Sequence, residues 1–120
     1  MMLLPGILYT LTGLILFFES HTFYETLGYI YGPFSEHFIK DGGLAFLSSG
    51  ILLGLSHFIK RARHSLQWAG LLFLNLHALF HIWILLRHHG NHSIPLELVL
   101  NILPPFVLSL FVWKNNKDGK

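Results

Sequence analysis

Four long apolar segments, with almost no charged side chains inside them, restrict this chain more than any other feature. They cover residues 3–18, 42–59, 66–86 and 94–113. A helix needs about 20 mostly apolar residues to cross the hydrocarbon core of a bilayer. The runs are too long for strands and do not alternate between polar and apolar residues, and open backbone cannot face lipid. The sequence therefore predicts an all-α integral membrane protein, a four-helix bundle surrounded by membrane lipid.

The composition supports lipid as the solvent and excludes several classes of protein. Charged residues make up 12% of the 120 residues, whereas soluble domains carry about 25%. The absence of Cys excludes disulfide frameworks, thiolate zinc sites and cysteine nucleophiles. A net charge of +2 without a basic stripe argues against a nucleic-acid partner. We expect one domain, residues 1–120, with helices near 3–19, 35–60, 65–87 and 94–113.

The distribution of Lys and Arg predicts the orientation of the helices. Six of the eight basic residues follow the second helix or the fourth, and only Lys40 and Arg87 fall on the other side. Because cytoplasmic loops are enriched in Lys and Arg, both termini are predicted to be cytoplasmic. The first segment is predicted to be a retained helix, since no Lys or Arg precedes it and no cleavage site follows. The aromatic stretch 20–34 is expected to form a short outer interfacial segment or an ordinary connecting loop.

Polar side chains recur four residues apart in the predicted helices, so each pair shares one helix face. The pairs are His37 with Asp41, His77 with His81, and Glu97 with Asn101, while Glu19 lies at the outer end of the first helix. All of them fall in the outer half of the predicted spans. Because ionisable groups in membrane helices usually face the bundle interior, we expect them to converge.

Such a cluster is typical of a metal site. The predicted ligands are His37, Asp41, His77 and His81, with Glu97 or Glu19 as an extra ligand or a base. Imidazole suits zinc and copper, whereas di-iron sites in bundles use four Glu and two His. Haem and a proton relay are weaker alternatives, the relay because the inner halves of the helices offer few polar groups. A purely structural cluster has equal standing with the metal site.

Two further features of the sequence are expected to shape the bundle. Gly50 and Gly54 form a small-xxx-small face, which permits close helix approach within the bundle or to a second subunit. Pro104 and Pro105 must interrupt the hydrogen bonding of the fourth helix next to the polar cluster. The tract 88–92, with three His, is a weaker candidate for metal binding and otherwise a solvated loop.

Two motifs resemble a group of small four-helix bacterial membrane proteins that are loosely DoxX-like. They are HFIKDGG at 37–43 and HALFHIW at 77–83, and the resemblance covers about residues 5–83. DoxX relatives are associated with membrane redox systems, sometimes as small subunits. The resemblance thus implies a partner in a redox complex and a location in a bacterial plasma membrane.

The function predicted on these grounds is that of a small accessory subunit of a larger membrane redox complex. Small size, an excess of apolar surface and the absence of catalytic motifs favour this role over independent catalysis. The alternative is a stand-alone metal-binding membrane enzyme or metal-handling protein. A transporter ranks third, because the inner polar path is missing.

Overall fold

The computed structural model describes residues 1–87 and 94–119, and it is all-α, without a strand in these ranges. The helices are α1 (Leu3–Phe18), α2 (Ser20–Thr26), α3 (Glu36–Phe58), α4 (Arg63–Arg87), α5 (Ile94–Glu97) and α6 (Leu103–Asp118). Two 3₁₀ turns, Gly28–Tyr31 and Lys60–Ala62, and a π-helical turn, Leu98–Ile102, connect them. The all-α prediction is confirmed.

Three to four segments of the described chain are long and apolar enough to cross a membrane. The three that qualify alone are Glu36–Phe58, Lys60–Arg87 and Pro95–Asp118. The fourth is α1 with α2, which are bent by 101° relative to each other. Because α1 has 16 residues, it is only about 24 Å long, so the predicted first span is shorter than a typical bilayer core.

The connection between α2 and α3 is a turn followed by a capped helix start. Gly32 has a φ of 122°, a conformation that favours glycine. Ser35 is the N-cap of α3, and its Oγ accepts a hydrogen bond from the Phe38 backbone N–H at 3.4 Å. Capping by serine satisfies one of the free N–H groups that every helix start exposes, so α3 begins where the sequence supplies the cap.

The long helices follow one another in space in the order of the chain. α1 contacts α3, α3 contacts α4, and α4 contacts both the π-helical turn and α6. The buried core lies near the end that carries the basic residues, which we call the basic end, and consists of Met2, Leu53, Leu71, Leu74 and Val112. α1, the π-helical turn and the first part of α6 line an apolar groove of about 640 Å³.

Glycines let α1 and α3 approach closely. A Cβ atom built on Gly6 would lie 2.6 Å from the backbone nitrogen of Gly54, and one on Gly50 would collide with the backbone of Thr10. Gly13 faces the backbone of Gly43 and Leu47 in the same way. Small residues permit such contacts between membrane helices. Of the two uses expected for the Gly50–Gly54 face, the structure shows packing within the chain.

Candidate functional site

Glu97, His81 and His77 form a continuous hydrogen-bonded relay, which we call the Glu–His–His relay. His81 Nδ1 lies 2.5 Å from Glu97 Oε2, and His81 Nε2 lies 3.0 Å from His77 Nε2. The side chains of His81 and Glu97 are 7% and 2% exposed. Burying ionisable groups to this extent costs free energy unless they are paired and hydrogen-bonded. The contacts between His81 and Glu97 offset that cost.

Two helical segments bring the relay together. His77 and His81 are one turn apart on α4, which places both imidazoles on one face. Glu97 is the last residue of α5, and Asn101 Nδ2 donates to the same Glu97 oxygen at 3.3 Å. The relay therefore joins α4 to the irregular start of the last helical segment.

The π-helical turn that follows Glu97 has a clear local cause. Pro104 and Pro105 lack backbone N–H groups, so they cannot donate to the carbonyls of Leu100 and Asn101 four residues earlier. The backbone N–H of Leu103 instead donates to the Leu98 carbonyl, five residues back, which is the π pattern. Such turns occur frequently at functional sites, and this one carries Asn101 and directly follows Glu97.

Aromatic rings enclose the open end of the relay. The rings of Phe46 and Phe73 lie 5.1 and 5.4 Å from the His77 imidazole, centroid to centroid, and Tyr9 stacks on Phe46. His77 is half-buried between α3 and α4. These rings separate the imidazole from polar surroundings, and a low-dielectric setting strengthens its hydrogen bond to His81.

A second polar bridge connects the same two segments nearer the basic end. Asn75 Nδ2 lies 2.8 Å from Ser109 Oγ, and Ser109 Oγ donates in turn to the Pro105 carbonyl at 2.8 Å. This amide–hydroxyl bridge contains no ionisable group. It helps to hold α4 against α6, whereas the groups that can exchange a proton belong to the relay.

The predicted convergence of all the polar pairs does not occur in the structure. His77, His81, Glu97 and Asn101 come together, but His37 and Asp41 contact each other at 3.2 Å with side chains 92% and 61% exposed. Glu19 accepts a hydrogen bond from Thr22 at 3.3 Å on the exposed surface. In residues 1–87 and 94–119, no three His, Asp or Glu side chains form a group that could hold a metal ion. The His tract at 88–92 lies outside the described residues.

Two features of the site were not predicted from the sequence, namely the contact by which Glu97 orients His81 and the π-helical form of the turn after Glu97. Glu97 was expected only as an extra ligand or a base, whereas in the structure it orients His81 through Nδ1. The signal was present in the paired prolines, which indicated an interrupted helix next to the polar cluster. The contact between Glu97 and α4, next to the wide turn at this interruption, depends on tertiary packing.

Comparison with known proteins found no family model, no curated protein and no solved structure that matches this chain. The DoxX-like resemblance and the redox association that it implies therefore remain expectations. The physical chemistry of the Glu–His–His relay is the basis for the function proposed below.

Proposed function

We propose that this protein is a small integral membrane subunit in which the Glu–His–His relay takes up and releases a proton. The observation that carries the proposal is the 3.0 Å separation of His77 Nε2 and His81 Nε2. Two nitrogens that both lack a proton would oppose their lone pairs at this distance, so the contact is favourable when one of them donates. A proton shared between two imidazoles can be passed on by either ring.

Glu97 supplies the other requirement of a proton-exchanging site. Its carboxylate accepts a hydrogen bond from His81 Nδ1, which leaves His81 Nε2 as the atom that faces His77. When the pair of imidazoles gains a proton, the adjacent carboxylate, which is itself buried, balances the new positive charge. Ionisable groups buried in membrane helices commonly serve proton transfer.

A metal ion held by His77 and His81 is the second candidate. A carboxylate that fixes one ring nitrogen while the other faces a metal is a recurring arrangement, and Glu97 holds His81 in this way. However, two nitrogens bound to one tetrahedral zinc at 2.0–2.1 Å would lie about 3.3 Å apart, and the observed 3.0 Å suits a shared proton better. Zinc or copper at this position would need further ligands from water or a partner.

As partners we propose membrane lipid and the larger subunits of a redox complex, in which this chain is accessory and not itself catalytic. Large apolar side chains cover much of the outer surface of the helices, for example Phe18, Leu72 and Leu86, which are 72%, 62% and 72% exposed. Exposed apolar surface of this extent marks contact with lipid or with other membrane proteins. Migration of the protein as an isolated chain, after gentle extraction from its native membrane, would contradict the subunit role.

The relay is tested by nuclear magnetic resonance on protein labelled with ¹⁵N-histidine and reconstituted in lipid nanodiscs. We expect a scalar coupling between the Nε2 atoms of His77 and His81, carried by the shared proton. The substitution His77→Gln removes one of the two nitrogens and should abolish the coupling. His37→Gln is the matched control, because His37 pairs with Asp41 on the exposed surface and does not belong to the relay, and it should leave the coupling unchanged.

The same sample distinguishes the second candidate. The measurement is the amount of Zn²⁺ that stays bound after desalting. One equivalent retained by the unaltered protein, but not by His77→Gln, would assign the site to a metal ion in place of the shared proton. If neither the coupling nor a retained metal is found, both proposals fail.

The proposed topology, with both termini on the cytoplasmic side, has its own test. Glu25 in α2 and Ser65 in the first turn of α4 are both exposed, and Ser65 lies near the basic end. A cysteine at Glu25→Cys should react with a membrane-impermeant maleimide added to intact cells, and a cysteine at Ser65→Cys should not, because cytoplasmic segments carry the Lys and Arg excess. The opposite labelling pattern would reverse the orientation.

A further inference from the structure

A cavity with several polar side chains in its lining lies at the basic end, away from the Glu–His–His relay. It has a volume of about 450 Å³ and is lined by Met1 and Met2, which precede α1, and by residues at the basic ends of α3, α4 and α6. Its polar lining side chains include His57, Arg63, His64, Gln67, Asn115 and Asn116. None of the described residues that line it carries a carboxylate, so the cavity presents hydrogen-bond donors and positive charge without a protein anion.

Gln67 shows that this cavity is incomplete without an occupant. Its side chain is buried, with 7% exposed, and within the described ranges no hydrogen bond reaches its amide. Buried amides are normally hydrogen-bonded, because an unpaired one costs the free energy of its desolvation. A ligand with strong acceptor atoms would satisfy the Gln67 NH₂ group.

The remaining donors favour an anion in particular. The Nε of Arg63 donates to the Ser56 carbonyl at 3.4 Å, which leaves the two terminal amino groups of the guanidinium for another acceptor. The backbone N–H of Arg63 already donates to the Lys60 carbonyl, so the guanidinium, and not the helix start, is the group that can recognise an anion. A guanidinium with free amino groups is a usual recognition element for phosphate.

We propose that this cavity binds the phosphate group of an anionic lipid headgroup. The position of the cavity argues for a lipid source, since it lies where α3 ends at Phe58 and α4 begins at Arg63, at the ends of two candidate membrane spans. Trp68 and Trp113 are exposed within about a turn of the lining residues, and tryptophan is enriched at headgroup depth. Basic pockets between membrane helices at this level bind anionic headgroups.

The experiment measures lipid binding to the purified full chain in detergent by native mass spectrometry. The probes are phosphatidylglycerol, phosphatidylcholine and inorganic phosphate. Arg63→Gln should weaken phosphatidylglycerol binding about tenfold, since a hydrogen bond to a charged group is lost. Lys60→Gln and Arg61→Gln are matched controls, because both side chains are basic and exposed at the same end but do not line the cavity, and they should change the affinity by less than about twofold.

Gln67→Leu supplies a second readout that does not depend on the folding of the Arg63 variant. This substitution should weaken phosphatidylglycerol binding and raise the thermal stability of the lipid-free protein, because an unpaired buried amide is replaced by an apolar group. Equal losses in Arg61→Gln and Arg63→Gln would overturn the proposal. The proposal would also be overturned if phosphatidylcholine bound as tightly as phosphatidylglycerol. Binding of inorganic phosphate as tight as that of phosphatidylglycerol would overturn it too.

Discussion

The substitution His81→Leu is expected to lower the free energy of unfolding by about 3–5 kcal/mol. His81 lies 2.5 Å from Glu97, and the Glu97 side chain is 2% exposed. Removing one member of a buried pair leaves the other charge without compensation, and losses of this size are typical. The measurement is the equilibrium between folded and unfolded protein in lipid bicelles, followed by steric trapping.

The double variant His81→Leu/Glu97→Leu separates the pair interaction from a general loss of packing. Replacing both members of a buried pair by apolar residues is often neutral, so the double variant should be clearly more stable than His81→Leu alone. His37→Leu/Asp41→Leu is the control, because this pair has the same chemistry on an exposed surface, and it should change the stability by less than about 0.5 kcal/mol. If the double variant lost as much free energy of unfolding as His81→Leu and Glu97→Leu lose together, Glu97 and His81 would not stabilise each other.

The second large effect is expected where α1 and α3 touch. Gly50→Ala places a methyl group 2.5 Å from the Thr10 hydroxyl and 2.8 Å from the Gly6 carbonyl, so the two helices must separate. Overpacking of this kind costs about 1–3 kcal/mol. The free energy of unfolding of Gly50→Ala, measured in lipid bicelles by steric trapping as for His81→Leu, tests this prediction.

Gly54→Ala is a close control, one turn further along the same face of α3. A Cβ atom on Gly54 meets nothing within 4 Å, so the substitution should be neutral or should stabilise the helix by up to about 1 kcal/mol. The sequence motif treats these two glycines alike, whereas the structure distinguishes them. Equal effects of the two substitutions would mean that α1 does not pack on α3 as described.

The helices were predictable because the physical signals for them are local. Long apolar runs, a serine cap before α3 and paired prolines in the last span can be recognised without knowledge of the fold. The proximity of Glu97 to His81 was expected on another ground, since both lie in the outer half of predicted spans and ionisable groups in membrane helices usually face the bundle interior.

The expected participation of His37 and Asp41 failed for a reason that spacing cannot reveal. A four-residue spacing shows that two side chains share a helix face, but it does not show which neighbour that face meets. In α3 the face that meets α1 is occupied by Gly43 and Gly50, and His37 and Asp41 point away to the exposed surface. The glycine contacts thus determine the rotation of α3, and this rotation removes the pair from the site.

The unequal lengths of the helices have a consequence for the surrounding lipid. α1 has 16 residues, which correspond to about 24 Å, while the bilayer core is about 30 Å thick. The apolar run within α4, residues 66–86, is about 32 Å long and fits such a core. If the four candidate spans cross one membrane, the lipid next to α1 would have to thin, or the residues at its ends would have to reach toward the headgroups. Such hydrophobic mismatch biases a protein toward membranes of particular thickness, and here the short helix borders the apolar groove between α1 and α6.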